Sequence, residues 1–163
     1  MTHPSLQPLT VLLEQAQRDR DQALQRQRKV EAALAAAEVQ AEQLRDYRAE
    51  CEGRWGQQFR KGVTMTLMQV YQDFVGRLHG AVDSQGEQID RLRADLARCI
   101  ADSVAAELRV ASVRKLIERR EVAALRSMAQ REQKQFDEMA SRAAWRRMTS
   151  HGALTGHGAM TVS

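Results

Sequence analysis

LTVLLEQAQRDRDQALQRQRKVEAALAAAEVQAEQLRDYRAECEGRW, residues 9–55, is a run of heptads. Leu9, Leu13, Ala16, Arg20, Ala23, Gln27, Val30, Leu34, Ala37, Ala41, Leu44, Arg48, Cys51 and Trp55 follow in alternating steps of four and three without a slip. Eleven of those fourteen are apolar or small, which draws one narrow stripe along a helix and favours a left-handed two-stranded seam. The flanks are charged and rich in glutamine, as solvent-facing surface should be. The spacing predicts a helix over 9–55, roughly 70 Å long at about 1.5 Å per residue.

The pattern stops where Gly53, Gly56 and Gly62 fall among Gln57-Gln58 and Arg60-Lys61. Glycine is costly inside a helix and natural at a reversal. A hairpin is therefore expected over 56–65, with Thr64 or Thr66 as N-cap of the next helix. That second helix is expected over 66–148. Its stripe is Leu67, Tyr71, Phe74, Leu78, Val82, Gln85, Ile89, Leu92, Leu96, Cys99, Ser103, Ala106, Val110, Val113 and Ile117. Two successive steps of four, from Phe74 to Val82, coincide with Gly76, Gly80 and Gly86, so a kink or a local break is expected at 76–86. The fold class is thus all-α: an antiparallel two-helix coiled-coil hairpin with the second helix longer. Residues 1–8 are expected to be a flexible N-terminus and 149–163 a disordered, small and Gly-containing tail.

Composition supports this reading. Ala, Leu, Glu and Lys+Arg make up 76 of 163 residues, close to the half-share typical of coiled coils, and aromatics are only 4%. The β-branched strands and turn glycines of a sandwich or α/β enzyme are missing. No run of eighteen apolar residues exists, and the N-terminus has no cationic start before an apolar stretch, so a cytoplasmic location is expected. Cys51 and Cys99 fit reduced thiols on the two seams. No phosphate-binding glycine loop, His-Glu-x-x-His or Cys-x-x-Cys occurs, so neither catalysis, a metal nor a cofactor is expected. His79 reads as a surface histidine.

Charge is unevenly placed. Residues 109–147 hold eleven Lys/Arg against five acids, a balance of +6, whereas the whole chain is +4. Reflecting the chain about residue 60 pairs residue 9 with residue 111, which leaves residues 112–148 as an overhang of about 55 Å. A basic, amphipathic, unpaired helix end points to docking on an acidic partner. Trp145, with Arg142, Arg146 and Arg147 beside it, is a candidate anchor there.

Four segments then carry a family resemblance: LLEQAQRDRDQAL at the start, AEVQAEQLRDYRAE before the hairpin, YQDFVGRLHGAV after it and REQKQFDEMASRAAWR near the end. In this order and spacing, over about residues 9–147, the chain resembles the FliJ family of the bacterial flagellar type III export apparatus. The resemblance implies a non-enzymatic protein like the central stalk of a rotary ATPase, its helix ends entering the ring of the export ATPase FliI, which is held by its regulator FliH. It further implies contact with the export gate protein FlhA, association with export chaperones, and a peripheral place at the cytoplasmic face of the inner membrane. Carried over residue by residue, the gate contact would be Gln40, Leu44, Tyr47, Phe74, Leu78 and Ala81. Cys51 stands where an aromatic is usual and Gln85 where a histidine can occur. The ATPase contact would be Leu12, Leu13, Arg119, Arg120, Arg126, Arg131 and Trp145. Two other readings compete: the equivalent stalk of a virulence injectisome, and a coiled coil whose basic span lies along nucleic-acid phosphate. Glu118, Glu121, Glu132, Asp137 and Glu138 interrupt that span and weigh against nucleic acid as a partner.

Overall fold

A computed structural model describes residues 6–154. Two helices account for nearly all of them: α1 (Gln7–Arg60) and α2 (Met65–Leu154). The chain is a two-helix hairpin without strands among the described residues. Among the described residues, 10–113 form one compact unit, and 6–9 together with 114–154 belong to another.

Within residues 10–113 the helices meet along the two heptad stripes. Every member of the α1 stripe is buried or half-buried, and so is every member of the α2 stripe except Leu67. The least accessible positions are small. Ala16, Ala23 and Ala37 are each 3% exposed or less, with Ala41 and Cys51 close behind. Such low exposure for a side chain of one carbon requires the opposite helix to come near, which alanine alone among helix formers permits without lost propensity. Opposite them stand the larger Leu78, Ile89, Val110 and Val113. Ala37, Ala41 and Ile89 form one buried cluster, with Leu34 and Leu92 against it.

Polar pairs record the register. Gln85 Nε2 donates to the Ala37 carbonyl at 3.0 Å and to Gln40 Oε1 at 3.3 Å. Arg93 meets Glu38 at 3.3 Å and Arg109 meets Asp19 at 3.9 Å. The two ion pairs are exposed and contribute little each. The Gln85 bond lies in the seam and discriminates between registers, as a polar residue at a core position does. In each pair the partners stand nearly equidistant from the turn, so the reflection centre is the turn itself and not residue 60. Val113, which reflection about residue 60 placed in the overhang, is buried along with Val110, as the stripe itself predicted.

The turn differs from expectation. Helix α1 passes through Gly53 and Gly56 and ends at Arg60, and the reversal takes only residues 61–64. The reason is aromatic. Trp55 packs on Tyr71 with ring centroids 4.8 Å apart, and Phe59 meets the same ring edge-on at 4.9 Å. Ring contacts of this kind offset a glycine's cost of about 1 kcal/mol in a helix. Gly62 then closes α1 with φ +89°, while Lys61 and Gly62 donate back to the Gln58 and Phe59 carbonyls. Thr64 caps α2 through Oγ1, which accepts from the Leu67 amide at 3.4 Å.

Helix α2 is continuous across 76–86, without the local break that was the alternative to a kink there. The doubled step of four is absorbed by moving the covered stripe sideways, so that Phe74 and Val75 are both half-buried before Leu78. The helix also continues to Leu154, into the first residues of the expected tail. Hydroxyl bonds support this last stretch: Thr149 donates to the Trp145 and Arg146 carbonyls and Ser150 to that of Arg147. Residues 155–163 of that expected tail, and 1–5 of the expected flexible N-terminus, lie outside the described residues.

Two substitutions separate these effects in urea denaturation. Gly62→Ala places a side chain in a left-handed conformation and lowers stability by about 1 kcal/mol. Ser103→Ala, by contrast, removes a buried hydroxyl that has no hydrogen-bond partner and raises stability by about 1 kcal/mol.

Candidate functional site

Three surfaces hold the residues singled out from sequence. On residues 10–113, the six gate positions separate into two kinds. Gln40, Tyr47 and Ala81 are exposed, Leu44 and Phe74 are half-buried, and Leu78 is 7% exposed. The helix pair brings Tyr47 and Phe74 together in a T-shaped contact, 6.3 Å between centroids at 81°. It joins Gln40 to Gln85 by the bond described above. Leu78 belongs to the seam and has little surface to offer a partner, so it supports the outer residues from beneath.

Cys51 is buried one turn beyond Tyr47 on α1. The nearby Cys51 side chain raises the Tyr47 phenol above the ordinary tyrosine value, first through hydrogen bonding and then through its electrostatic influence. Both cysteines are free thiols.

Leu12, at 46% exposure, points outward on α1, while Leu13 is half-buried on the stripe. The remaining ATPase positions lie on α2 beyond Arg114. Ile117 and Ala124 are half-buried; from Leu125 to Ala153 every side chain is exposed. Arg119, Arg120, Arg126 and Arg131 make no ion pair among the described residues, and the nearby Arg142–Glu138 pair is long at 3.9 Å. Arg119 and Arg126 border an open pocket of about 640 Å³ that includes Val122 and Ala123. Trp145 is 70% exposed.

Sequence reasoning set Trp145 among Arg142, Arg146 and Arg147 and missed the apolar stripe to which it is adjacent. Val122, Leu125, Ala129, Phe136, Met139 and Ala143 keep heptad spacing on α2, interrupted at one position by Glu132, and all are exposed. Phe136 and Met139 are 72% and 65% exposed. The signal was present in the spacing but in a different register from the seam, so following the seam past Ile117 lost it. The stripe has nothing over it among the described residues, and Arg119, Arg120, Arg126 and Arg131 around it make no ion pair there.

The model of the flagellar FliJ protein family matches residues 5–149. The chain belongs to the FliJ family. No curated protein and no solved structure matches it. The family places the chain with flagellar protein export, among non-catalytic proteins of structural or chaperone-like kind associated with the export apparatus. Among the described residues, no helix is long and apolar enough to cross a membrane.

The raised Tyr47 phenol gives a pH test of this FliJ-family surface. The folded phenol binds its proton more tightly than the unfolded one, so its contribution is complete below the ordinary phenol range and is lost as pH rises through the raised value. In a Tyr71→Phe background, alkaline absorbance titration should find Tyr47 ionising later than free tyrosine. Cys51→Ala should shift it down; an unchanged midpoint would assign the effect elsewhere.

Proposed function

We propose that this FliJ-family chain is a stalk and coupling protein of flagellar export. Its helix ends dock into the ring of the export ATPase FliI, held by FliH, and the surface around Tyr47 and Phe74 contacts the export gate FlhA. The observation that carries the reading is the uncovered stretch of α2 from Leu125 to Ala153, apolar on one stripe and arginine-rich around it. A helix of such composition has no internal reason to leave Phe136, Met139 and Trp145 in water, and its unpaired cations favour an acidic cavity. Arg119, Arg120, Arg126 and Arg131 would steer and register the docking, with Trp145 as the anchor. Leu12 and Leu13 would supply the contact from α1. Gln40, Leu44, Tyr47, Phe74, Leu78 and Ala81 are assigned to the gate, four of them presenting surface and Leu78 and Leu44 supporting from the seam side. Export chaperones are further partners of the same apparatus, which would hold the chain peripherally at the cytoplasmic face of the inner membrane. The flagellar character of the matching family favours this system over an injectisome.

The test is FliI ATPase activity with and without the chain, beside an Arg119→Glu/Arg120→Glu/Arg126→Glu variant. Stimulation by the native chain and its loss, by about tenfold or more in half-maximal concentration, in the variant is expected for charge-steered docking. Absence of any stimulation would remove the ATPase contact from the proposal. Binding to random duplex DNA that falls steeply with salt would instead revive the nucleic-acid reading.

A further inference from the structure

We propose that the hairpin tip is a docking site for an acidic amphipathic helix of a partner protein. That helix seats one apolar side chain between Trp55 and Leu67 and sets carboxylates against Arg54, Arg60 and Lys61. The inference uses none of the residues assigned above to the ATPase or the gate, so it stands or falls apart from the stalk reading.

Five of the seven aromatic residues of the chain lie between positions 47 and 74. Three of them, Trp55, Phe59 and Tyr71, form the ring cluster that closes the hairpin, yet all three remain only half-buried. Around them is more apolar surface than turn closure uses. Met65 and Val70 are 76% and 56% exposed, and Leu67 and Met68 are also exposed. Methionine at an uncovered surface adapts to whatever packs on it. Arg54, Trp55, Gln58 and Leu67 line an open pocket of about 330 Å³, contributed by both helices. A pocket with an indole wall, an aliphatic wall and a guanidinium at its rim suits one apolar side chain with an acidic neighbour.

Charge makes the choice of occupant. From Gly53 to Gln72 there is no acidic residue, whereas Arg54, Arg60 and Lys61 all fall in this stretch. Arg60 and Lys61 have no ion pair among the described residues, and the Arg54–Glu50 pair at 3.6 Å is exposed on both sides and readily exchanged. A partner with carboxylates flanking its apolar face meets both features at once. An anionic bilayer would meet the charges but has no use for a two-helix pocket.

The experiment uses the full chain carrying Trp145→Phe, which leaves Trp55 as its single tryptophan. The probe is a synthetic helical peptide with leucine along one face and glutamate on the others. It is compared with the same peptide bearing lysine for glutamate, and with vesicles of phosphatidylglycerol. Saturable change of Trp55 emission with the acidic peptide alone is expected. Arg60→Glu/Lys61→Glu should weaken it by about tenfold, and Leu67→Ala by a similar factor, as loss of charge steering and of a pocket wall predict. Both sets of substitutions are at exposed positions, and circular dichroism confirms that helicity is kept. Equal response to the acidic and basic peptides, response to the vesicles without the acidic peptide, or no response to any probe would each overturn the proposal.

Discussion

The close approach of two helix backbones along alanines is the condition on which the rest of the structure depends. Ala16, Ala23, Ala37 and Ala41 occupy the α1 side of the seam, and the bulk needed to fill it comes from Leu78, Ile89, Val110 and Val113 on α2. Because the small side chains are concentrated on one helix, the seam is narrow and leaves most of each helix in water. Tyr47, Gln40 and Ala81 are therefore displayed on a stiff pair and not sunk into a core. The bond from Gln85 to the Ala37 carbonyl is an effect of the same proximity: a side-chain amide reaches across to a backbone oxygen only where no large residue intervenes.

The seam was legible in the sequence almost residue by residue, because period and side-chain size alone determine which positions face a partner helix. All fourteen positions of the first stripe are covered in the structure. The turn was less legible. Three glycines spread over ten residues suggested a broad reversal, but local propensity lost to the tertiary stacking of Trp55 and Phe59 on Tyr71. A contact between residues distant in sequence cannot be weighed from composition, so both the end of α1 and the centre of the hairpin were misplaced. The family resemblance, read from ordered segments, agrees with the family match over residues 5–149. Which member of the gate set shows surface was not legible: Leu78 and Ala81 look alike in the pattern, yet one is buried and the other exposed.

The α2 segment beyond Arg114 obeys different physics from the paired helices. With every side chain from Leu125 to Ala153 exposed, packing contributes little and helicity depends on propensity. Its alanine, arginine, glutamate and glutamine content is suited to that, but isolated helices are marginal in water, and their ends fray. A partner that covers the Val122–Met139 stripe would order the segment as well as bind it. Part of the binding free energy would then be spent on that ordering.

The position of the aromatic cluster has a kinetic corollary. Trp55 and Tyr71 are among the cross-helix contacts with the least chain between them, and closing a short loop costs less entropy than closing the one between Asp19 and Arg109. Assembly of the hairpin therefore favours starting at Gly62 and zipping toward the termini, each heptad added against one already in place. On a ribosome, α1 and the rings that clasp it are complete before most of α2 has been made. The nascent chain thus has a seed for pairing from the moment Tyr71 emerges.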